Sequence, residues 1–406
     1  MQQRSIVRIG VPLAVAALAL SACGSRGTTG TGGSSGASAG KTVKIGVIAP
    51  LSGDLSALGK GIQHSVELAV KQANDSNAIP GWKITVEPVD DEGKADVGKN
   101  GATKLAGESD IIAVVGNLNS SVSQQTQPVF SAAGITQISP ANTNPSLTIG
   151  ADAASKKRTY PTYFRTCTTD AIQGPFAAQY LLAAGIKKVA TINDKKTYGQ
   201  GLVSAFTTEF TKGGGTVSAA LTINPDESNY QTVVSQAAAT SPQAVYYGGE
   251  FPQAGPLSQQ MKSAGLNVPL MGGDGIYDPK YIALAGAKST GDLATSVGAP
   301  TESTDAGKKF LADYKAAGYA DAAGAYGGYS YDAANALING MKTSLASATD
   351  VKSARKATTD AVGKVSFAGV TGAVAFDEYG DTTSKILTVY KVMGGAWVPS
   401  KTDTFK

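Results

Sequence analysis

Residues 43–74 read VKIGVIAPLSGDLSALGKGIQHSVELAVKQAN. Val43 to Ala49 is a short, nearly continuous apolar run, the pattern of a strand buried on both faces. A Pro-Leu-Ser-Gly turn follows, and from Gly59 to Asn74 the period changes. Ile62, Val66, Ala69 and Ala73 then fall on one face of a helix. The same alternation continues outward. Lys83–Asp90 reads as a strand, Asp96–Gly107 as a helix, Ile111–Gly116 as a strand, Ser121–Ala133 as a helix and Ile135–Ser139 as a short strand. It restarts with strand Lys188–Asn193, helix Gly199–Lys212 and strand Thr216–Ile223. Tyr230–Ala239, Ala244–Gly248, Pro256–Ala264 and Val268–Gly272 carry it on. After Asp292–Val297 come two long helical segments, Ala306–Ala317 and Tyr326–Leu345, then β character at Gly372–Phe376 and Lys385–Val392. Strand–helix alternation of this kind predicts parallel sheets covered by helices on both faces. The fold class is therefore α/β, with two doubly wound lobes and a crevice between them, where small-molecule sites gather.

The first forty residues are of another kind. Arg4 and Arg8 precede an apolar stretch, Ile9 to Leu20, too short to span a bilayer of about 20 apolar residues. Leu20-Ser21-Ala22-Cys23 then resembles the lipobox of bacterial lipoproteins, in which the chain is cut before the cysteine and the thiol is diacylated. Residues 1–22 are thus expected to be a signal peptide and Cys23 a lipidation site, two acyl chains giving stable membrane attachment where one is marginal. Residues 23–40 continue as a Gly/Ser/Thr linker that reaches on the order of 20 Å as a flexible coil. Gly32-Gly33-Ser34-Ser35-Gly36 matches a hydrolase nucleophile pattern, but it has neither the strand before it nor the helix after it that the pattern needs.

Composition excludes several functions. Removing the two arginines of the signal from the formal charge of +4 leaves +2, with no basic run to suggest nucleic acid. Once Cys23 is acylated only Cys167 remains, so no intrachain disulfide forms, and Cys167 is expected to be a small buried apolar residue. The single histidine, His64, sits in a helical pattern and is expected on the helix surface. A histidine-rich zinc site is impossible and a His-based catalytic relay poorly supported. The segment Gly53–Gly61 fails the phosphate-loop spacing and has Gly61 where Ser or Thr must hold magnesium. No dinucleotide fingerprint lies between a strand and a helix. No cofactor, no metal and no catalytic residue is therefore expected.

A set of ordered markers carries a family resemblance. They are Ile45-Gly46-Val47, Pro50-Leu51-Ser52-Gly53, Val89-Asp90-Asp91, Gly116 ahead of Asn119-Ser120-Ser121, and Asp194-Lys195-Lys196-Thr197-Tyr198-Gly199. Tyr246-Tyr247-Gly248-Gly249 and Phe376-Asp377-Glu378-Tyr379-Gly380-Asp381 complete it. In order and spacing the chain resembles the leucine/isoleucine/valine-binding proteins, the type I substrate-binding components of ABC importers. The resemblance implies two lobes joined by a three-stranded hinge, crossed near Thr166, Gly298 and Ala375. Lobe 1 would be 41–166 plus 299–375 and lobe 2 would be 167–298 plus 376–406. It also implies a monomeric, extracytoplasmic, lipid-anchored protein that passes an amino acid to permease subunits. A receptor sensing an amide or short peptide is the alternative, and an α/β enzyme the reading from another class.

The resemblance places Ser120 and Thr143 on the ligand carboxylate, the Ala141 carbonyl and Asp274 on its ammonium, and Tyr198 and Tyr331 along the cleft wall. By their own chemistry Ser120 is equally an N-cap and Thr143 and Asp274 are turn residues. Two positions depart from the leucine binder, Leu58 and Glu250, each standing where that protein has a tyrosine facing the ligand side chain. A carboxylate at 250 facing an isobutyl group would be buried without a partner. The expectation is thus a ligand whose far end donates hydrogen bonds, unless a one-residue shift turns Glu250 outward and brings Phe251 in.

Overall fold

The computed structural model describes residues 41–152 and 154–405. Cys23, the signal peptide and the linker lie outside the described residues.

The N-terminal strands run in one layer. They are β1 (Lys41–Ala49), β2 (Trp82–Asp90), β3 (Ile111–Gly116), β4 (Thr136–Ser139) and β5 (Tyr163–Arg165), interleaved with α1 (Ser56–Asp75), α2 (Ala95–Gly107), α3 (Ser120–Ala132) and the single turn α4 (Ser146–Ile149). All pair in parallel, in the order β2-β1-β3-β4-β5. β3 is buried along its whole length, as a strand covered on both faces must be. Gly59 is fixed by closeness rather than by a turn. A Cβ there would lie 1.9 Å from the Pro50 carbonyl oxygen, so only glycine lets the first turns of α1 lean onto the end of β1.

The second layer begins with α5 (Asp170–Ala183), β6 (Lys188–Asn193), α6 (Thr197–Lys212) and β7 (Thr216–Thr222). It continues with α7 (Gln231–Ala239), β8 (Ala244–Gly248), α8 (Phe251–Ser263), β9 (Leu270–Gly272), α9 (Pro279–Ala285) and β10 (Leu293–Ser296). The chain then gives α10 (Asp305–Ala316), α11 (Gly327–Ser344) and α12 (Val351–Val362), a hairpin β11 (Ser366–Gly369) and β12 (Gly372–Ala375), and finally β13 (Ile386–Met393) and β14 (Ala396–Thr404). The second sheet has seven strands, β14-β13-β10-β9-β8-β6-β7. Its body is parallel, but β13 runs antiparallel to β10 and β14 antiparallel to β13. Helices α11 and α12, late in sequence, pack back on the first sheet through α1 and β3. The first sheet thus carries helices from both ends of the chain, whereas the second gains late strands.

Several elements depart from the sequence pattern. α5 runs through Pro175 and α8 begins five residues before Pro256, although a proline inside a helix removes one hydrogen bond. Burial of Phe176, Ala177, Ala178 and Leu181 holds α5 together across the break. β14 is polar and nearly all exposed, with a register shift where Pro399 meets Tyr390. Proline, a bulge and lysines on an edge strand are devices against further strand addition. Cys167 is a free, fully buried thiol whose Sγ lies 3.3 Å from the Asn142 carbonyl. His64 is half-buried on α1, its ring stacked on Tyr319 at 4.5 Å. Among the described residues no helix is long and apolar enough to cross a membrane, and no cluster of candidate metal ligands occurs.

Candidate ligand-binding site

The C-terminal ends of both sheets point at one small cavity. From the first sheet's side it is lined by Leu58 on α1, Leu118, Asn119 and Ser120 at the start of α3, Ala141 after β4, and Tyr326 just before α11. From the second sheet's side come Tyr198 on α6, Glu250 after β8, and Asp274 with Gly275 after β9. Two glycines set the second wall. A Cβ on Gly248 would lie 2.3 Å from the Gly199 carbonyl oxygen, and one on Gly199 2.4 Å from that of Gly248. Without side chains there, α6 settles on the end of β8 and brings Tyr198 and Glu250 to the same mouth.

Asp274 is the polar centre. Its Oδ1 accepts from Tyr198 Oη at 2.8 Å and from Gln173 Nε2 at 2.9 Å, and its Oδ2 accepts from Tyr326 Oη at 2.8 Å. Burial raises its pKa, and the donated hydrogen bonds from Gln173, Tyr326 and Tyr198 act against that rise. The Tyr326 bond joins a residue packed on the first sheet to one from the second. Glu250, only 4% exposed, makes another such link. Its Oε1 accepts from Asn119 Nδ2 at 2.7 Å, and its Oε2 pairs with Lys196 Nζ at 2.9 Å. Behind it, burial and then the Glu250 charge push Asp194 up to about 7, opposed by Lys196. Asp170, the first residue of α5, is fully buried with neither carboxylate oxygen partnered, and burial followed by the Asp274 charge raises its pKa well above the ordinary range.

The free space among these residues is about 20 Å³, on the scale of a single water. A molecule the size of an amino acid therefore enters only if the walls separate. Ser120 sits at the first turn of α3, whose free N–H groups face any carboxylate placed there.

Of the residues singled out from sequence, Leu58, Ser120, Ala141, Tyr198, Glu250 and Asp274 line the cavity. Thr143 lies behind the lining, fully buried, its hydroxyl unpartnered and its carbonyl accepting from the Asp170 N–H at 2.8 Å. Tyr331 is a correction. Its hydroxyl donates to Gln72 and its ring packs on Phe310 at 5.1 Å, away from the cleft. Tyr326 takes the wall position instead. Five residues along a helix turn a side chain about 140° from its start, so the two tyrosines cannot share a face. The expected isolation of Glu250 is also corrected, because Lys196 and Asn119 supply the partners the sequence could not. Phe251 is in the core and does not replace it. Asn119, Lys196 and Gln173 were missed as site residues, although the first two stand inside quoted markers.

A family model described as periplasmic binding protein matches residues 42–396. The chain belongs to this family. Within it, the Leu/Ile/Val-binding protein BraC3 of Rhizobium johnstonii is 31% identical over 360 residues, covering 88% of this chain and 94% of the relative. The leucine binding protein LivK of Thermotoga maritima superposes with a TM-score of 0.79 at 24% identity, over 89% of this chain and 99% of that one. LivJ of Streptococcus pneumoniae, solved in complex with isoleucine, gives 0.78 at 25% identity over 90% and 99%. This periplasmic binding protein is thus a solute binder of the branched-chain amino-acid ABC transporter class, and the family is not enzymatic.

Proposed function

We propose that this chain captures an amino acid, of branched-chain type or related, between its two sheets and delivers it to the permease of an ABC transporter, tethered outside the cytoplasm by lipid on Cys23. The carrying observation is Asp274, a buried carboxylate on one wall opposite the free N–H groups and hydroxyl at the start of α3 on the other. Those are the two ends of a zwitterion, and a buried zwitterion needs both satisfied. Thr143, with its hydroxyl unpartnered, is the second donor for the carboxylate, and the Ala141 carbonyl the second acceptor for the ammonium. Because Lys196 and Asn119 already satisfy Glu250, the pocket needs no donor at the ligand's far end, and Leu58 with Leu118 favours an aliphatic side chain.

A thermal-shift and calorimetric screen of leucine, isoleucine, valine, glutamine, arginine and benzoate tests this. A true ligand at 100 times its Kd adds about 2.7 kcal/mol of stability. Stabilisation by arginine or benzoate but by no aliphatic amino acid would overturn the reading. For the anchor, Cys23→Ser should release the protein into the aqueous fraction; release of acylated protein from that variant would refute Cys23 as the site.

A further inference from the structure

Several hollows outside the cleft are roomier than its 20 Å³, and one of them is lined mainly by aromatic rings and apolar side chains. A groove of about 400 Å³ lies beside the segment that leaves β10, with walls from α9 and the β13–β14 hairpin on one side and α10 and α11 on the other. Its floor is aromatic. Tyr277 stacks on Tyr390 with centroids 4.1 Å apart, and Trp397 lies tilted 6.1 Å from Tyr277. The indole N–H is already donated to the Asp278 carbonyl at 3.0 Å, so what Trp397 offers the groove is the ring. Tyr329 and the exposed Leu311 close the facing side.

Only one lining residue is charged, Glu302, and no lysine, arginine or histidine lines the groove. Among the described residues Glu302 enters no ion pair within 4 Å, and it lines the same groove as the rings of Tyr277 and Tyr390. Aromatic faces attract cations through their quadrupole, and a nearby carboxylate adds to that attraction. The volume is in the range of small-molecule sites.

We propose that this groove is a second small-molecule site, separate from the cleft, that takes an organic ammonium with a flat apolar body. The body lies on Tyr277, Tyr390 and Trp397, and the ammonium faces Glu302.

The chain has two tryptophans, Trp82 and Trp397, so a Trp82→Phe variant makes Trp397 the reporter. Titration with phenethylammonium should quench its fluorescence saturably. Glu302→Gln should weaken that binding about tenfold, and the neutral analogue phenethyl alcohol should be weaker by a similar factor. Ala325→Leu, which fills the groove, should abolish saturation. Asp274→Asn should leave the quench unchanged, which separates this groove from the cleft. Non-saturating quench, equal affinity for the alcohol, indifference to Glu302→Gln, or loss of the quench in Asp274→Asn would each overturn the proposal.

Discussion

The two walls of the cleft are built from the same strand–turn–helix units, yet they differ in charge. The wall from the first sheet presents Leu58, Leu118, Asn119, Ser120, Ala141 and Tyr326, none of them charged. The wall from the second presents both carboxylates, Glu250 and Asp274. Both sets of loops leave the C-terminal ends of parallel strands, where helix N-termini collect and favour anions. The first wall leaves that bias uncovered and so suits a carboxylate. The second overrides it with buried acids and suits an ammonium. Under the proposed function, the polarity of the solute along the cleft follows from which wall keeps its helix ends free.

The sharpest way to break this comparison is to neutralise the second wall. Asp274→Asn should cost the cognate amino acid about 2–5 kcal/mol of affinity by calorimetry, because the buried ammonium loses its counter-charge. Glu250→Gln should cost less, about 1–2 kcal/mol, since it strands a Lys196 that is still partly exposed and leaves the Asn119 contact in place. Its signature should be a shift toward the open form in small-angle scattering of the unliganded protein; an unchanged scattering profile would show that the contact does not hold the walls together. On the neutral wall, Ser120→Ala should cost only about 0.5–1.5 kcal/mol, the value of one neutral hydrogen bond. Equal losses for Ser120→Ala and Asp274→Asn would erase the distinction between the walls.

The smallest effect is in pH. Asp194 is pushed up to about 7 and Asp91, in the first sheet's polar core, to about 6, in both cases chiefly by burial. A raised carboxyl pKa means that the folded state holds the proton more tightly, so stability is greatest near pH 4 and is lost as pH rises toward 7. The unliganded protein should melt higher at about pH 5 than at about pH 7.5, and Asp194→Asn should flatten that dependence. Ligand affinity should run the other way, falling on acidification as Asp274 takes up its proton. A parallel fall of both would show that Asp274 does not meet the ammonium as a carboxylate.

How much of this was legible beforehand depended on burial. β3, β6 and β8 were readable residue for residue, at Ile111–Gly116, Lys188–Asn193 and Ala244–Gly248. A strand covered on both faces is a largely apolar run, and the turn residues beyond it mark its ends. β14 was invisible because an exposed edge strand has no such constraint and carries lysine and proline instead. α5 was hidden by Pro175, and α12 by a polar surface with few buried positions.

The site divided in the same way. Local chemistry marks Asp274, Ser120 and the Tyr198-Gly199 and Gly248-Gly249-Glu250 stretches, because turns, helix starts and close approaches need particular residues where they occur. Which tyrosine of α11's first turns reaches the cleft is not local. It is set by the rotation of that helix on α1, which turns Tyr326 toward Asp274 and Tyr331 toward Gln72. The state of Glu250 is likewise a long-range matter, since Asn119 and Lys196 lie 131 and 54 residues away in the chain. Pattern along the chain determined the layers, the buried strands and the acids at their ends. The tertiary structure alone decided which acids are paired and which ring closes the cleft, because those contacts form between segments whose spacing in sequence carries no record of their meeting.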